Sequence, residues 1–176
     1  MRRIAIIVLA LFGLAAPALS QDFEISNDYD ALPEAVRDLR SMLLEAAYNG
    51  DYDALKLRMD EQETPPRVSF GEVDDPIAYL KSQSSDPEGL QIMAVLADLL
   101  EARFGIITNQ GEEPIYIWPY LAGLPDVSNL EPYQKVDAYR LLPPAQAEAL
   151  ATDGMWYAWR VMIAADGEWL TFVAGD

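Results

Sequence analysis

The side chains able to do chemistry in this chain are few in kind. Its 176 residues include no histidine and no cysteine. That excludes a Ser-His-Asp relay, a thiol nucleophile, a thiolate zinc site and an iron–sulfur cluster. Lys56, Lys81 and Lys135 are the only lysines, and none follows a serine at S-x-x-K spacing. No two glycines stand as G-x-G and no glycine precedes a lysine, so neither a dinucleotide loop nor a P-loop is present. What remains is carboxylate, aromatic and guanidinium chemistry.

The densest carboxylates are Glu72, Asp74 and Asp75, directly after Phe70-Gly71. Loop carboxylates can ligate a cation through oxygen, and two carboxylates can divide acid and base roles in glycoside hydrolysis. Against both stands a simpler use. Asp75-Pro76 has the form of a helix N-cap followed by proline at the first helical position. Residues 49–60 place Asn49, Asp51 and Asp53 at the odd positions of a calcium loop, but the sixth position is Ala54 and the twelfth Asp60, where glycine and glutamate are needed. No cofactor or metal is expected.

The aromatic candidates are Trp118 and Tyr120, which alternate with Tyr116, and Trp169 in the final segment. Arg160 is the one charge within residues 155–165. Trp118, Tyr120, Arg160 and Trp169 together form a candidate ligand-binding set: rings that stack on a glycan or an apolar molecule, and a guanidinium that recognises an anion. The competing reading is that the rings are core and the guanidinium is internally paired or stacked.

These residues need elements to position them. Leu32, Val36, Leu39, Leu43, Ala46 and Ala47 recur at three and four, which predicts a helix over 32–48, ended by Asn49-Gly50. Asp51 caps a second helix to about residue 58, and Pro65-Pro66 makes 62–68 a linker. Asp75-Pro76 opens a short helix over 77–82; Asp86-Pro87 opens a longer one over 88–103, with Gly105 as its C-cap. Strands follow at 106–108 and 115–118, then helices at 131–142 and 145–151, the first closed by Pro143-Pro144. The end reads as a hairpin, 155–164 and 168–173, around a two-residue Asp166-Gly167 turn. That register pairs Ile163 with Leu170 and Val161 with Phe172, and leaves Trp169 on the face of Arg160.

The expected fold is α+β, with N-terminal helices packed on a small antiparallel sheet that ends in a C-terminal β-hairpin. Element order alone also fits an NTF2-like cone, which holds a pocket between sheet and helices. Residues 32–176 form one domain on this reading, and the acidic stretch 21–31 is a flexible lead-in.

The first 20 residues have the layout of a secretory signal peptide: Met1-Arg2-Arg3, an apolar run over 4–16, then Ala18 and Ser20 at the −3 and −1 positions of a cut before Gln21. Alternatives are an uncleaved anchor, for which the apolar run is short, and a twin-arginine signal, which usually has a longer polar start. A lipoprotein is excluded because it needs a cysteine at the cut. Cleavage removes two arginines and no acid, so a formal charge of −17 becomes −19. That balance argues against nucleic acid and anionic membrane surfaces as partners, and it suits solubility or a basic partner.

Ser69-Phe70-Gly71 followed by Asp75-Pro76-Ile77, then Trp118-Pro119-Tyr120, then the terminal Phe172-Val173-Ala174-Gly175-Asp176, resembles a group of exported alphaproteobacterial proteins of unassigned function. The resemblance covers most of the chain after Gln21 and implies export without implying an activity. The expectation is therefore an exported, periplasmic or secreted, acidic cell-envelope protein with a non-catalytic binding or interaction role, meeting a basic envelope protein. The alternatives are a periplasmic carrier of a small ligand or glycan, and a carboxylate-dependent hydrolase.

Overall fold

The computed structural model describes residues 21–175; residues 1–20, on which the signal-peptide expectation falls, and Asp176 lie outside the described residues. Within them the chain is α+β, with six α-helices and one five-stranded antiparallel sheet whose last two strands form a C-terminal hairpin. The order is β1 (Gln21–Ser26), α1 (Glu34–Asn49), α2 (Tyr52–Glu61), α3 (Pro76–Ser82), α4 (Leu90–Glu101), β2 (Phe104–Asn109), β3 (Ile115–Trp118), α5 (Pro132–Leu141), α6 (Pro144–Asp153), β4 (Arg160–Ala164) and β5 (Trp169–Val173). Neighbours in the sheet are neighbours in sequence, β1-β2-β3-β4-β5.

The lead-in is not loose. Residues 21–26 pair along their whole length with β2, from Gln21 opposite Asn109 to Ser26 opposite Phe104. Residues 29–31 then make one 3₁₀ turn capped by the Asp28 carboxylate. Acidic residues at 22, 24, 28 and 30 hid a strand whose inward positions are Phe23 and Ile25. Gly105 is not the C-cap of a helix. It is a strand residue, paired with Ile25 and Ile117, and a Cβ there would sit 2.5 Å from the Phe23 ring. Gly123 is bare for the same reason, so Phe23 occupies a slot made by two missing side chains.

α1 buries Val36, Leu39, Leu43, Ala46 and Ala47, the stripe its spacing dictates, and stops at Gly50 in the left-handed conformation. Asp51 and Asp75 cap α2 and α3 with their carboxylates. Pro144 opens α6 rather than closing α5. α4 ends without a basic residue in its last turn. Its orphan carbonyls are met from α1 and the 3₁₀ turn: Arg40 Nε donates to the Leu100 carbonyl at 2.9 Å, and the Tyr29 hydroxyl reaches the carbonyls of Glu101 and Ala102, each at 2.8 Å.

The start of α4 departs from Asp86-Pro87 as cap and first helical residue. The helix begins at Leu90, after Gly89 in the left-handed region, because Tyr52 occupies the space beside Gly89 and donates to its carbonyl at 2.9 Å. Burial, and secondarily the Asp86 charge, pushes that phenol up to about 12. Asp86 still caps from a distance, accepting from the backbone of Glu88, Leu90 and Gln91 and from the Ser84 hydroxyl. The Ser84 bond first, then the backbone donors, hold its carboxyl far below its ordinary value near 3.8. A depressed carboxyl adds stability that is present above its unfolded value and lost as pH falls toward the folded one. Replacing Asp86 with Asn should therefore flatten the decline of the urea midpoint below about pH 4, read from unfolding curves at stepped pH.

The sheet separates two cores. On one side Phe104, Tyr116, Trp118, Val161, Ile163, Trp169 and Phe172 meet α1 to α4 through Leu39, Leu43, Leu55, Leu80, Leu96 and Leu100. On the other, Tyr120, Leu121, Leu130, Ala138, Leu150 and Trp156 close over Phe23 and Ile25. The NTF2-like alternative requires a pocket between sheet and helices; here that space is filled by side chains with no exposure, Trp118, Trp169, Leu43, Leu55, Leu80 and Leu96 among them. With no disulfide available, this packing carries the stability.

Candidate functional site

The final hairpin decides where the candidate residues go. Its loop has three residues, not two: Gly167 N–H donates to the Ala164 carbonyl at 3.0 Å, Ala164 N–H to the Glu168 carbonyl at 2.9 Å, and Gly167 has φ +87°. Ile163 therefore pairs with Trp169, not Leu170. The extra residue is absorbed between Met162 and Ile163, so Val161 still faces Phe172 as the sequence indicates. Trp169 turns into the core and Leu170 turns out.

The outer edge of β5 is finished by the segment after α2. The Gln62 side-chain amide works as a strand mimic, accepting from Trp169 N–H at 2.8 Å and donating to the Trp169 carbonyl at 3.1 Å. Arg67 then adds two backbone bonds, its N–H to the Leu170 carbonyl and its carbonyl from Phe172 N–H, both 2.9 Å. Pro65-Pro66 prevents helix and holds the chain extended between these anchors. A covered edge is protected from pairing with other chains.

Beside that segment lies a groove of about 950 Å³, walled by Lys56, Met59 and Asp60 of α2, by most of the chain from Thr64 to Ile77 (Phe70 and Glu72 excepted), and by Leu170 and Thr171 of β5. Its volume is at the upper end of small-ligand sites. Lys56 and Asp60 are joined at 2.6 Å, and this bond raises the Lys56 ammonium. The Asp75 carboxylate is occupied by Ile77 and Ala78 N–H, both at 3.0 Å. Asp74 and Arg67 line the groove, and their side chains have no hydrogen bond or ion pair among the described residues. The Thr171 hydroxyl is buried there without a partner. No phenylalanine, tyrosine or tryptophan forms part of the wall.

The candidate ligand set is not assembled. Trp118 and Trp169 have no exposure and belong to the main core; Trp118 stacks 5.3 Å from Phe104, and Trp169 Nε1 donates to the Thr171 carbonyl at 3.0 Å. Tyr120 is buried in the other core, in the 3₁₀ turn Tyr120–Gly123, with its hydroxyl 3.2 Å from Asp137. Burial first, then Asp137, pushes that phenol well up. Arg160 stands at the opposite end of the hairpin from Trp169, donating to the Gly175 carbonyl at 3.0 Å and lying 5.4 Å from the Phe70 ring. Internal packing and tethering account for all four.

Of the candidate cation ligands, Asp74 and Asp75 line the groove and Glu72 does not. No group of three or more carboxylates able to hold a metal occurs among the described residues. Sequence reasoning missed Lys56, Asp60, Arg67 and Thr171; the usable signal was Pro65-Pro66, an extended stretch bound to land beside something.

No family model, curated protein or solved structure matches this chain. Function rests on the groove and on the sequence itself.

Proposed function

We propose that the chain is exported by its leader and acts, as residues 21–176, as an acidic, non-catalytic binding protein of the cell envelope that holds a segment of a basic partner in the groove beside β5. One observation carries the reading. The interior behind the hairpin is full, whereas the large opening sits on the outside, lined by charges, prolines and hydroxyl groups.

The alternatives have less support. A glycan carrier stacks sugar rings on aromatic faces, and the wall lacks them. A carboxylate hydrolase needs two carboxyl groups across one space. Asp60 is committed to Lys56 and Asp75 to the α3 cap, which leaves Asp74 alone. The formal charge of −19 on residues 21–176 favours a cationic partner and an association that weakens with salt.

The test is photo-crosslinking in cells from a benzoyl-phenylalanine placed at Pro65 or Val73, with Val136 on exposed α5 as control. The groove positions should trap a basic envelope protein, less of it as ionic strength rises, and Val136 should not. Adducts that do not distinguish groove from control, or native protein that keeps Met1 in the cytosol, would overturn the reading.

A further inference from the structure

Resting on that reading of the groove, we infer what its occupant is: an extended peptide segment that presents a carboxylate to Arg67 and an ammonium to Asp74.

The wall holds five charged side chains, and three are used within the protein. Lys56 and Asp60 neutralise each other, and Asp75 caps α3. The two left over are of opposite sign. Neither Arg67 nor Asp74 has an ion-pair or side-chain hydrogen-bond partner among the described residues, yet both border the same space. A purely cationic ligand would leave Arg67 opposed by like charge, and a purely anionic one would do the same to Asp74. A dipolar segment satisfies both.

Arg67 is also anchored through its backbone. Its backbone is fixed to β5 by two bonds of 2.9 Å, and its guanidinium lies 5.9 Å from the exposed Phe70 ring. A planar fork on an anchored backbone suits a carboxylate.

The backbone supports a peptide over a small metabolite. Between Val68 and Asp74, the one hydrogen bond made by a main-chain group to the described protein is Gly71 N–H to the Ser69 hydroxyl at 3.1 Å. A run of main-chain N–H and C=O groups without partners in the protein is what an incoming extended chain pairs with. Pro65, Pro66, Val73 and Leu170 supply apolar contact for its side chains. The carboxylate is a chain end or an acidic side chain; a peptide amidated at its C-terminus separates the two sources.

The probe is a fluorescent hexapeptide pool with lysine at each position in turn, acidic residues absent, and a free C-terminal carboxylate. Parallel pools carry the C-terminal amide, norleucine for lysine, or one glutamate with the amide. Binding to residues 21–176 is read by anisotropy for wild type, Arg67→Gln and Asp74→Asn. Each single neutralisation, in peptide or protein, should weaken binding about tenfold, as loss of one charge-assisted pair does. Arg67→Gln should cost nothing further against a pool lacking any carboxylate, and Asp74→Asn nothing further against norleucine. Rescue of the amide pool by glutamate assigns the carboxylate to a side chain. Losses that add where they should cancel, or carboxylate-free pools that bind as well as the rest, overturn the inference. Absence of all peptide binding while groove-specific adducts persist also overturns it and leaves the broader reading standing. Absence of the adducts removes that reading itself.

Discussion

Replacing Trp169 with alanine should destabilise the protein by about 3–5 kcal/mol, the range for emptying a large aromatic site in a packed core. Its side chain has no exposure, its indole N–H is bonded to the Thr171 carbonyl, and its strand partner is the equally buried Ile163. Neighbours held by a sheet on one side and α1 and α2 on the other collapse poorly into a void. Its backbone is clamped by Gln62, so the segment that walls the groove is tied to the same residue. The measurement is urea unfolding of residues 21–176 at neutral pH, with near-ultraviolet circular dichroism for the loss of packing. The register of a two-residue turn would put Trp169 on the open face, where truncation costs little. A loss below about 1 kcal/mol would restore that register and with it a surface role for the ring.

The hairpin shows where a sequence stops being legible. Asp166-Gly167 is a sound turn signal, and Val161 opposite Phe172 follows from it correctly. The loop takes a third residue for reasons that lie elsewhere in the chain. A Cβ on Gly167 would come within 2.9 Å of the Ala35 carbonyl in α1, and Arg58 of α2 donates to the Gly167 carbonyl at 3.0 Å. The tip of the hairpin is thus shaped by two helices more than 100 residues earlier. α1 was legible because its pattern is local, one stripe at a period of 3.6. Asp86 was half legible: the carboxylate caps α4, but Tyr52 and Gly89 decide the turn at which the helix starts. The groove was legible only in fragments, as the Asp74-Asp75 carboxylates and the extended Pro65-Pro66 stretch. Its walls come from 56–77 and 170–171, and nothing in either stretch announces the other. Aromatic residues drew attention as ligand groups because they are chemically conspicuous, and burial is the commoner fate of such side chains.

Removing residues 21–26 should cost roughly 2–4 kcal/mol, since it withdraws two partly buried apolar side chains along with a full strand. A flexible lead-in predicts no change, so the experiment separates the two descriptions. Phe23 fits over Gly105 and Gly123, and with Ile25 it packs against the core under the Tyr120–Gly123 turn. Without them that core opens on one side, and β2 becomes an edge presenting Phe104 to Asn109 unpaired. An uncovered edge of that kind invites pairing between molecules, so the shortened protein should also aggregate at concentrations where residues 21–176 remain monodisperse. Phe23→Ala is the milder test, with about half the loss and no exposed edge. Unfolding free energies within about 0.5 kcal/mol of the value for residues 21–176 for both variants would return the segment to the status of a tail. The outcome bears on export as well. With cleavage after Ser20, as proposed, the new N-terminus is the first paired residue of β1. Ladder and leader would then abut with no spacer between them, and a cut displaced by a few residues toward the strand would produce the same loss as the deletion.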